Sequence, residues 1–293
     1  MFDAHDEEAW LGALKGLNRK IKFVVSGIGE PVLLKRFRAF SKRAYQEAWF
    51  DSMVIFTNLS RLDPIAEYKG YHDRIKFNAS YHPTEMAFDR FKEGIAYLSE
   101  MNLLNNVSTV AYKYAFAERM ARQFMNVVLR GGKKFQYAEK KFELEKAGMF
   151  VGEMKKNGIR VTIQGIDALI PAYTKEEKAF IQSTRAPGEG VYLFREPASY
   201  PRSKACRCGE VHVICDHHGN FWRCSQYINS VDRLTSSGTH GNLFHEARLD
   251  REPKPCHMRR CSIAREEYAM RTDNDLFTDR YSNVLKKDGR RDP

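Results

Sequence analysis

Hydrophobic and polar positions between residues 6 and 182 switch repeatedly between two periods, and each switch marks a predicted element. Residues 6–18 place apolar side chains at helical spacing, with Asp6, Glu7 and Glu8 in the first turn, where the helix dipole favours acids. Residues 21–26 form a short β-branched and aromatic run, read as a buried strand, which ends in Gly27-Ile28-Gly29-Glu30-Pro31. The spacing predicts a helix over 32–50, with Pro31 suited to its start because its missing N–H would have no intrahelical partner there. The same strand–turn–helix unit recurs. Residues 52–56 are a strand closing on Thr57-Asn58, with a short helix after Pro64. Residues 75–80 are a strand closing on Tyr81-His82-Pro83, followed by a helix over 85–101 that Thr84 can cap. A fourth strand covers 106–112, and helices are expected over 115–129 and 137–156, broken at Gly131-Gly132. Residues 158–164 read as a fifth strand and 175–182 as a short helix.

Strands separated by helices predict an α/β fold with a parallel sheet and right-handed crossovers. In such sheets ligands bind beyond the carboxyl ends of the strands. Those ends carry Gly27 to Pro31, Thr57-Asn58, Ser80 to His82, Tyr112 and Gln164-Gly165. Each is an ordinary turn residue alone; together they outline a site.

The pattern changes between Ala186 and Lys204, where Pro187, Gly188, Gly190, Pro197 and Pro201 mark a boundary. The expected organisation is a domain over 1–185, a linker over 186–204, a cysteine-rich domain over 205–265 and a charged tail over 266–293, a helix with a frayed end. Strand-like pieces at 211–214 and 221–223 flank Gly219.

Composition narrows the class. With 43% hydrophobic residues, 19 Phe and 14 Tyr, the chain can fill a substantial core. Its apolar runs are short and interrupted by charge, which excludes a membrane span. The acidic start after Met1-Phe2 lacks a signal-peptide pattern, and a cytoplasmic location is expected. Net charge is +11, and residues 112–160 hold 12 Lys/Arg against 5 Asp/Glu. Such a face could attract phosphates or an acidic partner, but a solvated helical surface is the preferred reading.

All six cysteines fall between Cys206 and Cys261, with one, six, eight, thirty-one and four residues between neighbours. Clustered reduced thiols read as metal ligands rather than disulfides. Four thiolates suit tetrahedral zinc or a four-iron cluster, and no Cys-x-x-Cys knuckle decides between them. Arg207, Trp222, Arg223, His257, Arg259 and Arg260 could donate hydrogen bonds to cluster sulfides, while six nearby histidines keep a mixed Cys/His zinc site open.

At this point the two halves resemble one family, the radical S-adenosylmethionine superfamily with a C-terminal SPASM or twitch-type domain. The resemblance rests on Gly27-Ile28-Gly29-Glu30-Pro31 as a Gly-x-Gly-Glu-Pro turn, on Thr57-Asn58, and on Asn78-Ala79-Ser80 ending its strand. It also rests on Cys206 with twelve residues to Gly219 and four more to Cys224, and on the closing pair Cys256 and Cys261 after Gly241-Asn242-Leu243. The resemblance covers roughly residues 20–265. It implies a partial (β/α) barrel, its first strand missing, with a small cysteine-rich C-terminal domain. It implies that Gly27, Gly29, Glu30, Pro31, Asn58, Ser80 and Gln164 bind S-adenosyl-L-methionine, and that Cys206, Cys224, Cys256 and Cys261 hold an auxiliary 4Fe-4S cluster. Cys208 and Cys215 would then be spare, Cys208 as a possible substitute ligand and Cys215 as a buried strand residue.

The implied activity is formation of a 5′-deoxyadenosyl radical that abstracts hydrogen from a peptide, sugar or other small substrate. An electron donor such as flavodoxin or ferredoxin would be the partner, with no membrane and no nucleic acid. The family's Cys-x-x-x-Cys-x-x-Cys motif, which holds a second 4Fe-4S cluster, has no counterpart in residues 1–26. A truncated, inactive chain is therefore expected, so the enzyme assignment stays open. The alternatives are a non-catalytic degenerate relative retaining one cluster and a zinc-stabilised nucleic-acid-binding protein.

Overall fold

The computed structural model describes residues 6–26, 29–82, 86–110, 144–159, 161–164, 174–184, 205–206, 208–210, 213–216, 218–223, 239–245, 249–251 and 254–255. The elements are α1 (Glu7–Gly16), β1 (Ile21–Val25), α2 (Lys35–Gln46), β2 (Phe50–Thr57), α3 (Asp63–Ala66), β3 (Ile75–Tyr81), α4 (Phe88–Glu100), β4 (Leu104–Val110), α5 (Leu144–Lys156), β5 (Val161–Gln164) and α6 (Lys175–Ser183). Short strands follow: β6 (Ala205–Cys206), β7 (Ile214–Cys215), β8 (Asn220–Trp222), β9 (Thr239–Asn242) and β10 (Lys254–Pro255). Strands β1 to β5 form one sheet in chain order, and β1–β2, β3–β4 and β4–β5 are parallel. This is a mixed α/β protein, as the alternation of periods predicts.

The chain divides into two units, Met1–Ile55 with Asp63–Lys76 and Arg195–Pro293, and Phe56–Leu62 with Phe77–Phe194. In the first unit α1 starts on Asp6, whose carboxylate accepts from the Ala9 N–H at 2.9 Å, and buries Trp10, Leu11 and Leu14. Phe23 on β1 sits among Phe40, Trp49 and Phe50. The predicted helix over 32–50 is shorter than its pattern. Pro31–Leu33 is a 3-10 turn, Leu34 is extended, α2 occupies Lys35–Gln46, and Phe50 already belongs to β2.

In the second unit Phe77 and Ala79 on β3, Val107 on β4 and Ile163 on β5 are buried and apolar. Helices α4 and α5 meet this face through Phe91 and Phe150, whose rings lie 4.8 and 5.1 Å from Tyr81. Helix α4 begins at Phe88 with Ala87 at its cap and no side-chain cap; Thr84 lies outside the described residues. Strand β4 begins at Leu104, two residues before the predicted start, because Leu104 pairs with Phe77. The linker, the charged tail, the helix over 115–129 and most of the basic stretch lie outside the described residues. Among those described, no helix is long and apolar enough to cross a membrane.

Candidate functional site

The predicted site residues fall on both units. In the first, Gly29 adopts φ +95°, a conformation that only glycine takes without strain. Glu30, half-buried, precedes the 3-10 turn, and Pro31 takes that turn's first position. Val32 is wholly buried, and its carbonyl accepts from Arg38 Nη1 at 2.7 Å, which anchors the turn to α2. Gly27 lies outside the described residues.

In the second unit β2 ends in a side-chain-closed turn. Thr57 Oγ1 accepts from the Leu59 N–H at 3.1 Å, and Asn58 Oδ1 accepts from the Ser60 N–H at 2.9 Å. Leu59 takes φ 59° and is buried against α4, where Gly94 leaves room for it. The Asn58 carboxamide oxygen therefore shapes the strand end itself.

Strands β3 and β4 carry a polar face that periodicity alone does not reveal. Their register places Ser80 beside Ser108, and Asn78 beside Asn106. The register shifts between Phe77 and Asn78, so Asn105 and Asn106 both oppose Asn78, as in a β-bulge. Asn105 Nδ2 donates to Asn78 Oδ1 at 2.7 Å, and the Ser80 and Ser108 hydroxyls are 3.3 Å apart. Asn78 and Ser108 are buried and Ser80 is half-buried. A sheet whose one face is apolar against helices and whose other is amides and hydroxyls is not packed like an ordinary core. Chemically this face can hydrogen-bond a neutral polar group through donors and acceptors already fixed in place. Ser80 lies one residue from the carboxyl end of β3, and Thr109 Oγ1 donates to the Tyr81 carbonyl at 3.0 Å there. Burial, with Asp89 nearby, raises the Tyr81 phenol above its ordinary range. Gln164 closes β5 with its backbone paired to Val110.

The thiol-rich region belongs to the first unit. Strands β7, β8 and β9 form an antiparallel sheet, and β6 pairs antiparallel with β10. The turn into β8 is built on Asp216, whose Oδ1 accepts from the His218 and Asn220 N–H groups, both at 2.9 Å. Gly219 follows with φ +81°. Of the four predicted ligands, Cys206 is described by its backbone on β6; Cys224, Cys256 and Cys261 lie outside the described residues. Pairing sets Lys254 opposite Cys206 and Pro255 opposite Ala205, so the segment leading into Cys256 lies alongside Cys206.

Cys208 is buried, and Cys215 is half-buried with its thiol pushed up to about 12 by burial and by Asp216. A thiol so placed stays protonated and behaves as a packed strand residue. The Nε of Arg223, a residue expected as a possible sulfide donor, is engaged by protein groups. Its Nε donates to the Cys208 carbonyl at 2.9 Å and lies 3.4 Å from Asp250 Oδ2, both side chains being buried. Neither Asp250 nor the Asn105–Asn78 pair is visible in the sequence pattern. Among the described residues, no three His, Cys, Asp or Glu side chains are grouped to hold a metal.

No family model matches the chain, and no curated protein matches it. Solved structures do show likeness. Histidine-tagged anSMEcpe with bound AdoMet is 14% identical, with a TM-score of 0.39 over 82% of this chain and 66% of that one. Native anSMEcpe with bound AdoMet and Cp18Cys peptide is 15% identical at 0.40, covering 82% and 69%. Native anSMEcpe with bound AdoMet is 13% identical at 0.38, covering 82% and 68%. At these TM-scores the likeness carries no functional argument.

Proposed function

We propose that the chain is a protein of the radical S-adenosylmethionine type that binds S-adenosyl-L-methionine at the carboxyl ends of its parallel strands and an auxiliary 4Fe-4S cluster at Cys206, Cys224, Cys256 and Cys261. The observation that carries the reading is the polar face of β3 and β4, where Asn78, Ser80 and Ser108 are fixed on one side of a sheet whose other side packs on helices. Gly29 and Glu30 supply a strand-end turn suited to an ammonium group, which carbonyls and a carboxylate satisfy. Bound S-adenosyl-L-methionine would supply hydrogen-abstraction chemistry only beside a second, reducing 4Fe-4S cluster, for which residues 1–26 hold no cysteine; the part of this chain is placement. The reading calls for a peptide, sugar or other small substrate and a one-electron donor of the flavodoxin or ferredoxin kind.

Two measurements test it. Anaerobically purified protein should hold iron and sulfide; zinc without sulfide would overturn the cluster assignment. Equilibrium dialysis should show S-adenosyl-L-methionine binding that weakens about tenfold in Ser80→Ala, the loss of roughly one hydrogen bond. Equal binding by the wild type and Ser80→Ala removes Ser80 from the site.

A further inference from the structure

Three segments of the thiol-rich region meet at one buried ion pair. Arg223 directly precedes Cys224 in the chain. Its Nε donates at 2.9 Å to the carbonyl of Cys208, two residues beyond Cys206, and stands 3.4 Å from Asp250 Oδ2. The Asp250 N–H donates at 2.9 Å to the Gly209 carbonyl, and the chain from Asp250 runs on to Lys254, paired with Cys206, and then to Cys256. The Arg223 guanidinium, the Asp250 carboxylate and the Asp250 N–H therefore join three segments that adjoin predicted ligands.

A buried pair adds little net stability over an apolar replacement of similar volume, whereas removing one partner strands a charge. What a planar guanidinium supplies is direction, because its N–H groups are fixed in a fork. We infer that the Arg223–Asp250 ion pair positions the cysteine site, tying the residue before Cys224 to those after Cys206 and to the segment that leads towards Cys256 before the metal arrives. The inference rests on the proposed reading of those thiols as ligands. Arg223 and Asp250 are positioning residues: the Arg223 side chain holds the Cys208 carbonyl, and the ion pair ties it to the Asp250 segment, whose N–H holds the Gly209 carbonyl.

The test uses the full chain, purified anaerobically and reconstituted with iron and sulfide. Wild type, Asp250→Asn and the double variant Arg223→Met with Asp250→Leu are compared, with Ile95→Ala, buried on α4 in the second unit, as a control for lost core stability. Release of metal to EDTA is timed, and circular dichroism in the visible region records the geometry around the metal. Asp250→Asn and the double variant should release metal at least tenfold faster with an altered visible signature. Ile95→Ala should release it at the wild-type rate although its urea midpoint falls. The double variant carries no stranded charge, so it decides the matter should Asp250→Asn fail to fold. A wild-type release rate and signature in the double variant overturn the inference and leave the metal reading standing. A wild type that holds neither iron nor zinc overturns both. If it holds zinc, the iron–sulfur reading fails and the same release rates judge the positioning role.

Discussion

Gly219→Ala should damage the thiol-rich region out of proportion to the single methyl group added. A Cβ at this position would lie 2.5 Å from Phe244 Cε2 and 2.6 Å from Cδ2, well inside contact distance. The backbone also sits at φ +81°, where an L-residue costs about 1 kcal/mol relative to glycine. Displacing the ring adds about 1–3 kcal/mol, the usual cost of overpacking. The ring cannot simply swing aside. It meets Trp10 edge-on at 5.0 Å, and Trp10 is itself buried against Phe40 at 6.5 Å. The two costs together come to about 2–4 kcal/mol. Gly12 is the control, because its added Cβ would meet nothing within 4 Å and it lies inside α1. Gly12→Ala should stabilise by about 0.5–1 kcal/mol through lower unfolded-state entropy. Urea unfolding followed by tryptophan fluorescence reads both, since Trp10 and Trp222 report on this unit. A Gly219→Ala protein within about 0.5 kcal/mol of wild type would refute the steric reasoning.

Two further substitutions and conditions have defined outcomes. Arg74 lies 4.1 Å over the Tyr45 ring and donates to the Tyr45 and Phe50 carbonyls at 2.6 and 3.2 Å, so Arg74→Lys should lower the urea midpoint by the equivalent of about 1–2 kcal/mol. Cys215, with its thiol at about 12 against an ordinary 9.0, should react with iodoacetamide at pH 8.5 roughly a thousandfold more slowly than a free cysteine, as read by peptide mass spectrometry. The sign for stability follows, since the folded state keeps the Cys215 proton that the unfolded state loses. Its contribution is complete below pH 9.0 and is lost as pH rises towards about 12, so Cys215→Ala should flatten the alkaline fall in stability.

The parts legible in the sequence are those set by local period. Helix α1, strand β3 and the turn after β1 follow from apolar spacing, acids in the first turn and a proline at the start of the 3-10 turn. What escapes is set by partners far along the chain. Asn105 and Asn106 hide the start of β4, because two polar residues in succession break the alternation that a bulge opposite Asn78 accommodates. The two-residue strands β6 and β10 have no period at all and exist only through each other. Arg223 and Asp250 read as solvated charges, and their burial becomes apparent only when the segments around Cys208 and Gly209 are placed beside them. Asn58 was legible as a strand-end polar residue, but its Oδ1 closes the turn to Ser60, a local use that a search for ligand contacts overlooks.

The thiol-rich region and the N-terminal helix share one packing problem, which bears on how a metal would affect the rest of the unit. Arg19 donates to the Glu210 carbonyl at 3.0 Å, and Trp10 packs on Phe244, whose neighbour Leu243 donates its N–H to the Gly219 carbonyl at 2.7 Å. Trp10 also meets Phe40 on α2, and Phe40 meets Phe23 on β1 at 6.3 Å. A continuous set of rings and backbone bonds therefore runs from the turn between β7 and β8 to the strand that precedes Gly29. A group bound by the folded thiols and not by the unfolded chain adds its binding free energy to folding. Through these contacts that stabilisation extends to α1, α2 and β1, the elements that hold the Gly29-Glu30 turn. A metal held at the cysteines, as proposed, would thus be coupled through packing to order at the strand-end turn, with no ligand passing between them.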